Sequence, residues 1–365
     1  EGRDSWRWPR ANEIVVISYA CMPKTLPGGI QPYTRVFLDE MHYVKTPDSL
    51  RTKRCAPLVP LSLSVGGGLW GLTGSPADKA MDIWNLIQFL CSEQAVFGDH
   101  PEASTAWDGF VKLYNGRQVQ IPVPPMTLKS GRKIPGRRMT QWEFPTVTEH
   151  APAVLARIMI RRRKEDNLPD LPPKIYHTIS VNYKDLFKGR TKELKEIIEA
   201  LNRLVPNVSK MTHEQLLNEF GNKKPSFIEY SQLSAILAEA KIPVLLSTLD
   251  DFEEMGEPVI VFSAHHAPVL AAGKRKGWGV IDGSVSARKR KDLEEQFESG
   301  KLKGLACTMA GKEALTLIRA DHMIFVSRSW AEADNSQAED RSHRIGRASN
   351  RPLNIHDIVG DHPLE

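Results

Sequence analysis

The sequence predicts an α/β protein with two parallel sheets. Short apolar runs recur along the chain and alternate with stretches of helical pattern, such as 79–92 and 286–299. Strands that alternate with helices are typical of parallel sheets. The runs fall into two groups, 13–76 and 258–359, and each group predicts one sheet.

Eight apolar runs are predicted as strands, and nearly all end in small or polar residues. In chain order they are EIVVISY (13–19), RVFLDE (35–40), LWGLTGSP (69–76), PVIVFSAHH (258–266), GVIDGS (279–284), LKGLACT (302–308), HMIFVS (322–327) and NIHDIV (354–359). In parallel sheets, ligands bind beyond the carboxyl ends of the strands. The polar residues at those ends are therefore the first candidates for a functional site.

The region between the two groups differs from both. Residues 115–150 contain five prolines and predict a long loop or an irregular hairpin, whereas 185–255 have a helical pattern. We therefore predict a first domain over 1–175, with a helical or loop protrusion and an incomplete sheet. A second domain is predicted over 176–365, with a helical insertion at about 185–255.

Composition limits the class of protein. No run of eighteen uncharged apolar residues occurs, so no membrane span is expected. The first twenty residues are charged and rich in Trp, which is wrong for a signal peptide. The four cysteines form no CxxC pair and predict reduced thiols rather than a zinc site. We expect an intracellular protein, cytoplasmic in a prokaryote or virus host and nuclear in a eukaryote, truncated at both ends because it starts at Glu1 and ends in a polar stretch.

Basic residues are clustered although the net charge is only +5. The clusters are 161–164, 274–276 and 288–291. Such clusters can bind nucleic acid, but solvated helix faces have the same pattern, so both interpretations stay open.

Two adjacent carboxylates, Asp39 and Glu40, end the apolar run 35–40. They either lie in water or face a cation. An Asp at a strand end can hold Mg²⁺ through water, and a neighbouring Glu can orient and deprotonate an attacking water.

A second constellation is QAEDRSHRIGR at 337–347. On a helix, Gln337, Arg341 and Arg344 would share one face, because their spacing is i, i+4, i+7. This stripe predicts a polyphosphate clamp, since arginine is permanently charged and forked. The alternative is an exposed, salt-bridged helix with Asp340 paired to Arg344. With the clamp, the two constellations would face each other across an interdomain cleft.

These motifs resemble a known family. FLDEMHYVK (37–45) resembles the DExH Walker B motif, GLTGSP (71–76) motif III and QAEDRSHRIGR motif VI of helicase superfamily two. MIRRRKEDNLPDLPPK (159–174) and GVIDGSVSARKRKDLEEQF (279–297) look like the Swi/Snf-type DNA translocase ATPases, and the FSAHH form leans toward their annealing-helicase-like members. The resemblance implies two RecA-like lobes, the first incomplete, that hydrolyse ATP with Mg²⁺ on double-stranded or branched DNA. It also allows for accessory protein subunits as partners.

The resemblance also implies residue roles. Asp39 would hold Mg²⁺ through water, Glu40 would be the general base, and Arg341 and Arg344 the arginine fingers beside Gln337. The remaining implied roles are coupling by His42, Thr73 and Ser75, cofactor binding by Gly311 and Asp340, and DNA binding by Lys45, Arg162, Lys164, Lys312 and Thr316.

Two departures from the family pattern keep other functions open. The chain contains no GxxxxGK[ST] phosphate loop, and Lys312 and Ala314 occupy positions where the family usually has glycine. A non-catalytic DNA-binding scaffold is one alternative. An RNA helicase of the broader DExH group is another, although the block 159–174 argues against it.

Overall fold

The computed structural model divides the chain into two compact units, Glu1–Arg161 and Arg162–Glu365. It describes residues 9–10, 12–26, 35–63, 66–77, 79–98, 103–123, 126–127, 133–186, 227–309, 315–348 and 350–360. No helix among these residues is long and apolar enough to cross a membrane.

The strands and helices are numbered separately along the chain. The strands are β1 Arg35–Asp39, β2 Gly68–Leu72, β3 Arg117–Val123, β4 Met126–Thr127, β5 Lys133–Ile134, β6 Arg137–Glu143, β7 Lys174–Val181, β8 Val259–Ser263, β9 Trp278–Ile281, β10 Gly304–Thr308, β11 His322–Ser327 and β12 Leu353–Gly360. The helices are α1 Leu50–Cys55, α2 Leu58–Leu63, α3 Ala80–Leu90, α4 Glu93–Phe97, α5 Ala106–Leu113, α6 Val147–Ala156, α7 Lys164–Asn167, α8 Tyr183–Leu186, α9 Phe227–Ala240, α10 Ile242–Glu254, α11 His266–Gly273, α12 Ala287–Glu298 and α13 Glu332–Glu339. Two 3-10 helices span Tyr19–Cys21 and Met41–Val44.

The first unit contains a parallel pair of strands, β1 and β2, in register from Arg35↔Gly68 to Asp39↔Leu72. An apolar run as dense as 36–38 predicts a strand buried on both faces, but β1 is not buried in this way. Leu38 is buried with Met41 and Phe89, but Phe37 on the other face is 61% exposed and stacks on Trp70. Among the described residues of this unit, side chains cover only one face of the pair.

The predicted strand at 13–19 was also wrong. Residues 13–18 form no strand, and the 3-10 helix Tyr19–Cys21 follows them. Ile14 and Val16 are 90% and 92% exposed. An apolar run of this length forms a strand only when a neighbouring strand pairs with it, and no described strand does so.

An aromatic core holds the rest of the first unit together. Trp84 of α3, Trp107 and Phe110 of α5, and Phe144 meet at centroid distances of 4.9–6.4 Å. Beyond this core β3 and β6 pair antiparallel, with β4 and β5 as a second short pair. The Pro-rich stretch 115–150 is therefore a hairpin, one of the two forms that its sequence predicts.

The second unit is built on a six-stranded parallel sheet in the order β7-β12-β11-β8-β10-β9. Every residue of β8 and β10 is buried. Alternate residues serve two cores, because Phe262 packs with Phe297 of α12 on one face and Val261 packs with Leu249 of α10 on the other. This three-layer arrangement confirms the predicted α/β class and the five strands predicted in this unit.

Two features of the second unit were not predicted. The edge strand β7 pairs with β12 along its whole length, from Lys174↔Leu353 to Val181↔Gly360. The predicted boundary at 175/176 falls inside β7, whereas the compact units separate at 161/162. Helix α10 is an integral layer of the sheet rather than part of an insertion, while 187–226 lie outside the described residues.

Candidate nucleotide site

The candidate site of the first unit begins where β1 ends. Asp39 is the last residue of the strand, and its Oδ1 accepts a hydrogen bond from the backbone N–H of Glu40 at 3.0 Å. The Tyr19 hydroxyl donates to the Asp39 carbonyl at 2.6 Å. Glu40 has φ 47°, in the left-handed region that residues other than glycine rarely adopt. Backbone strain of this kind concentrates at functional sites, and here it turns the chain sharply after the strand.

A short chain of polar contacts connects this turn to the end of β2. His42 Nδ1 lies 3.2 Å from Glu40 Oε2 and 3.3 Å from the Thr73 hydroxyl. The Thr73 hydroxyl in turn accepts the backbone N–H of Ser75 at 3.2 Å. The structure thus brings together Glu40, the predicted base, and the three predicted coupling residues. These are His42 and the motif III residues Thr73 and Ser75.

One atom of this chain of contacts is buried and still available. Glu40 Oε2 accepts no hydrogen bond from any described residue, because its contact with His42 lacks hydrogen-bond geometry. Buried polar atoms are nearly always hydrogen-bonded, so this oxygen is a candidate acceptor for a ligand or a water. Elsewhere the Glu40 side chain is 43% exposed, so a ligand can reach it.

A metal at this place would receive few protein ligands. The described residues contain no group of three or more His, Cys, Asp or Glu side chains that could hold an ion. Mg²⁺ is commonly bound through one or two carboxylates together with substrate phosphates and water. Asp39 at the open end of β1 fits that pattern.

In the second unit, the predicted helical stripe does not exist. Gln337 lies half-buried on α13, but the helix ends at Glu339, and residues 341–347 form turns. Arg341 and Arg344 therefore do not continue a helical face from Gln337. The i, i+4, i+7 argument was wrong because it assumed an unbroken helix across the motif.

The turns hold the two arginines against the segment that follows β10. Arg344 Nη1 donates to the Thr316 hydroxyl at 2.9 Å and to the Leu315 carbonyl at 3.3 Å. The Arg341 carbonyl accepts the backbone N–H of Leu317 at 2.8 Å. Motif VI and the segment 315–317 are thus hydrogen-bonded to each other. Gly311 and Lys312 lie outside the described residues.

Glu339 and Asp340 form an ion cluster that the sequence analysis missed. Lys174 contacts Glu339 at 2.9 Å and Asp340 at 3.1 Å, Lys164 contacts Asp340 at 2.8 Å, and Arg328 contacts Glu339 at 2.9 Å. Burial raises the pKa of Glu339, but Lys174 and Arg328 outweigh it, so the carboxyl has a pKa below its usual range. Asp340 therefore pairs with lysines from β7 and α7 rather than with Arg344.

The residues predicted to bind DNA have varied surroundings. Lys45 is an ion-pair partner of the buried Asp82 at 3.4 Å. Lys164 donates to the His343 carbonyl at 3.0 Å as well as pairing with Asp340, so an internal structural role accounts for its position. Thr316 is bound by Arg344, while Arg162 is exposed to solvent.

Arg347 is the last residue of motif VI, but its contacts indicate a structural role. Its side chain is fully buried, and it donates to the carbonyls of Ala320 at 2.7 Å and Pro352 at 2.8 Å besides its ion pair with Asp321. The sequence sets it apart from Arg344 only in that it replaces a glutamine common in the family, which predicts that it matters less for hydrolysis. Its partners are separated from it in the chain, so only the fold identifies its role.

The buried His343 was also missed. One of its ring nitrogens lies 2.7 Å from the Pro172 carbonyl, and burial lowers the pKa of the imidazole. The other ring nitrogen, Nδ1, is buried and has no hydrogen-bond partner among the described residues. His343 fastens motif VI to the segment before β7.

Comparison with known proteins identifies helicase-family relatives of this chain. Residues 240–346 match the helicase conserved C-terminal domain. The human DNA annealing helicase and endonuclease ZRANB3 is 26% identical over 97% of this chain. The SWI/SNF-related matrix-associated actin-dependent regulator of chromatin subfamily A-like protein 1 of Xenopus tropicalis is 31% identical over 98%. The similarity thus extends through both units and all the motifs described above. The chain belongs to the Swi/Snf-type family of helicase superfamily two.

This Swi/Snf-type chain spans about a third of its curated relatives, 30% of the human protein and 34% of the Xenopus protein. Among solved structures, the Sulfolobus solfataricus SWI2/SNF2 ATPase core in complex with dsDNA is 16% identical, with a TM-score of 0.36 over 92% of this chain and 64% of the other. The C-terminal part of the Fun30 ATPase domain has a TM-score of 0.37 over 52% of this chain and 85% of the other.

Proposed function

We propose that this chain is the ATPase region of an ATP-dependent translocase that acts on double-stranded DNA. The observation that carries the proposal is the contact chain from Glu40 through His42 to Thr73 and Ser75 at the carboxyl ends of β1 and β2. It connects the Glu40 carboxylate, which can accept a proton, to the loop after β2. The position of that loop can therefore depend on the protonation of Glu40. Family membership supports the same chemistry.

In this proposal each side chain of the first unit has one task. ATP would supply the phosphoanhydride bond that is broken. Mg²⁺ would neutralise the negative charge on the phosphate oxygens during transfer. Asp39 provides a carboxylate for the metal, and Glu40 accepts a proton from the attacking water through its unbonded Oε2. His42 keeps that carboxylate beside Thr73, so that a change at Glu40 is transmitted to the β2 loop.

In the second unit the arginines of motif VI would act on the phosphates. Arg344 and Arg341 provide permanent positive charge next to residues 315–317. The fixed position of Arg344 against Thr316 supports a preorganised cation, which stabilises developing charge better than a mobile one.

Duplex DNA is the proposed substrate because of the relatives' activities. The relatives include a protein that is named a DNA annealing helicase. Contact with DNA would be made mainly through phosphates, so binding should depend strongly on salt and little on sequence.

The deciding experiment is ATP hydrolysis by a full-length version that includes a phosphate loop, measured with duplex DNA, with RNA and with neither. We expect DNA to stimulate the rate and Glu40→Gln to abolish the stimulation, since the amide cannot accept the proton. Glu165→Gln, an exposed glutamate of α7, is the matched control and should keep the wild-type rate. Stimulation by RNA alone would favour an RNA helicase. DNA binding without hydrolysis would favour a non-catalytic scaffold.

A further inference from the structure

The β3–β6 hairpin of the first unit forms a two-stranded ribbon with no further strand paired to it among the described residues. Each strand has seven residues, in register from Arg117↔Glu143 to Val123↔Arg137. At about 3.4 Å per residue the ribbon is about 24 Å long. At its base Trp142 packs on Trp107 in the aromatic core, whereas residues 137–141 are exposed.

The ribbon carries the charge excess of the whole protein. Residues 117–143 contain six arginines and lysines and one acidic residue, and the net charge of all 365 residues is +5. The acidic residue, Glu143, is already paired with Arg117 at 3.1 Å. Arg137 and Arg138 are exposed, and no described residue forms a hydrogen bond or ion pair with their guanidinium groups. The rest of the chain therefore has as many acidic as basic residues, although the clusters 161–164, 274–276 and 288–291 are basic as well.

The two arginines project to opposite faces of the ribbon, because successive residues of a strand alternate. Arg137 shares one face with Met139, which is 43% exposed, and with its cross-strand partner Ile121. Arg138 lies on the other face opposite Pro122. An isolated two-stranded hairpin is at best marginally stable in water, so a ribbon of this length with apolar and basic side chains exposed has the properties of a binding arm.

We propose that this ribbon is a contact for duplex DNA, additional to any made by the motifs of the family. The inference rests on the proposed function. The major groove, about 12 Å wide, admits a two-stranded β-ribbon. Arginines on both faces would then reach the phosphates of both strands that border the groove. Charge decides the kind of partner, since a protein surface would need a matching acidic patch while every duplex presents phosphates.

The test compares two double variants of the full chain, each of which loses two positive charges. Arg137→Gln with Arg138→Gln alters the ribbon. Lys24→Gln with Lys301→Gln is the matched control, because both lysines are exposed and lie outside the basic clusters 161–164, 274–276 and 288–291. Binding to a short mixed-sequence DNA duplex is measured by fluorescence anisotropy over a series of salt concentrations. Thermal unfolding of both variants verifies that they are folded.

We expect the ribbon variant to reduce the slope of log K against log salt by about two, since each lost phosphate contact removes about one. Affinity at low salt should fall on the order of tenfold, and the control should retain the wild-type slope. Arg137→Lys with Arg138→Lys should keep the slope, because the charges remain.

Two results would overturn the proposed DNA contact of the ribbon, and a third would refute the proposed function. Equal losses in the ribbon variant and the control would show an effect of overall charge and would overturn it. Unchanged DNA binding in the ribbon variant would also overturn it, and would leave a protein as the partner of the ribbon. Wild-type protein that fails to bind duplex DNA at all would instead refute the proposed function.

Discussion

At the scale of single residues, motif VI separates into arginines of different kinds. Arg344 is half-buried and is held by Thr316 and the Leu315 carbonyl. Arg347 is fully buried and is held by Asp321 and backbone carbonyls. Replacing Arg344 and replacing Arg347 should therefore affect different properties of the protein.

Replacing Arg344 should affect turnover. In a full-length version of the protein, we expect Arg344→Ala to lower DNA-stimulated ATP hydrolysis by about two orders of magnitude or more, with DNA affinity within a few-fold, because an arginine finger acts on the transition state. Arg344→Lys should restore little, since an ammonium cannot form the forked contact. Steady-state rates and DNA titrations of the same preparations measure both quantities. Near-normal hydrolysis with lost DNA binding would make Arg344 a DNA contact.

Replacing Arg347 should affect folding. Arg347→Ala leaves the Ala320 and Pro352 carbonyls without their donor and removes the buried partner of Asp321, although Arg351 still pairs with that carboxylate. Breaking a buried pair costs about 3 kcal/mol or more in the free energy of unfolding. Chemical denaturation measures this loss, and the exposed Arg162→Ala provides the control. A variant of Arg347 with wild-type stability and reduced hydrolysis would contradict a structural role.

At the scale of elements, the sequence predicted the buried strands of the second sheet and missed the exposed one. Strands β8, β10 and β11 have dense apolar sequences because helices cover both faces of the sheet, and their sequences predicted them. Strand β7 was missed because it is an edge strand in which Tyr176, His177 and Thr178 are exposed, so it has no apolar run. The run 13–19 had the right composition, but pairing is a tertiary property that composition cannot show.

The candidate site followed the same rule. Asp39, Glu40, His42 and Thr73 were predictable because they follow strands directly and carry the family motifs. The ion cluster around Glu339 was not predictable, since Lys174 lies 165 residues away in the chain. The end of α13 at Glu339 was missed because no glycine or proline marks it in the sequence. The nearest glycine, Gly346, has a positive φ of 103° but lies seven residues beyond the end of the helix.

A histidine cluster on β7, β11 and β12 gives the second sheet a dependence on pH. The ring nitrogens of His322 and His356 lie 3.1 Å apart, His177 stacks on His356 at 4.8 Å, and Phe252 of α10 packs on His322 and His356. Burial, and then the neighbouring histidines, lower the pKa of His356 to about 4. Burial also lowers the pKa of His322, although Glu257 and Asp321 oppose it.

The sign of the effect follows from proton binding. The unfolded chain, with an ordinary pKa of about 6.5, binds more protons than the folded chain between pH 6.5 and 4. Stability is therefore complete above a pH of about 6.5 and falls as the pH drops toward about 4. The shift of His356 corresponds to about 3.4 kcal/mol, which solvent screening of this partly exposed ring reduces to roughly 2 kcal/mol. His356→Gln should flatten this part of the curve relative to wild type, while the exposed His150→Gln should not. Parallel curves for wild type and His356→Gln would refute the assignment.

At the scale of the whole molecule, the boundary between the units decides which fragment can fold. The structure separates the units at 161/162, whereas the apolar runs suggested 175/176. The segment between the two boundaries contains Lys164, Pro172 and Lys174. Each of them contacts motif VI, through Asp340, His343 and Glu339 in turn. This segment thus belongs to the second sheet although it precedes most of it in the chain.

We predict that a fragment of residues 162–365 folds cooperatively and that 176–365 is less stable by about 3 kcal/mol or more. The shorter fragment loses the first two residues of β7 and leaves the buried Glu339 with Arg328 and Tyr176 but without Lys174, and an under-compensated buried charge is expensive. Chemical denaturation followed by circular dichroism compares the two fragments. Lys174→Met in the longer fragment is the matched control, because it removes the charge without shortening the strand, and should account for much of the loss. Equal stability of the two fragments would mean that the segment 162–175 is only a linker, and that the ion cluster around Glu339 does not fasten it to the second unit.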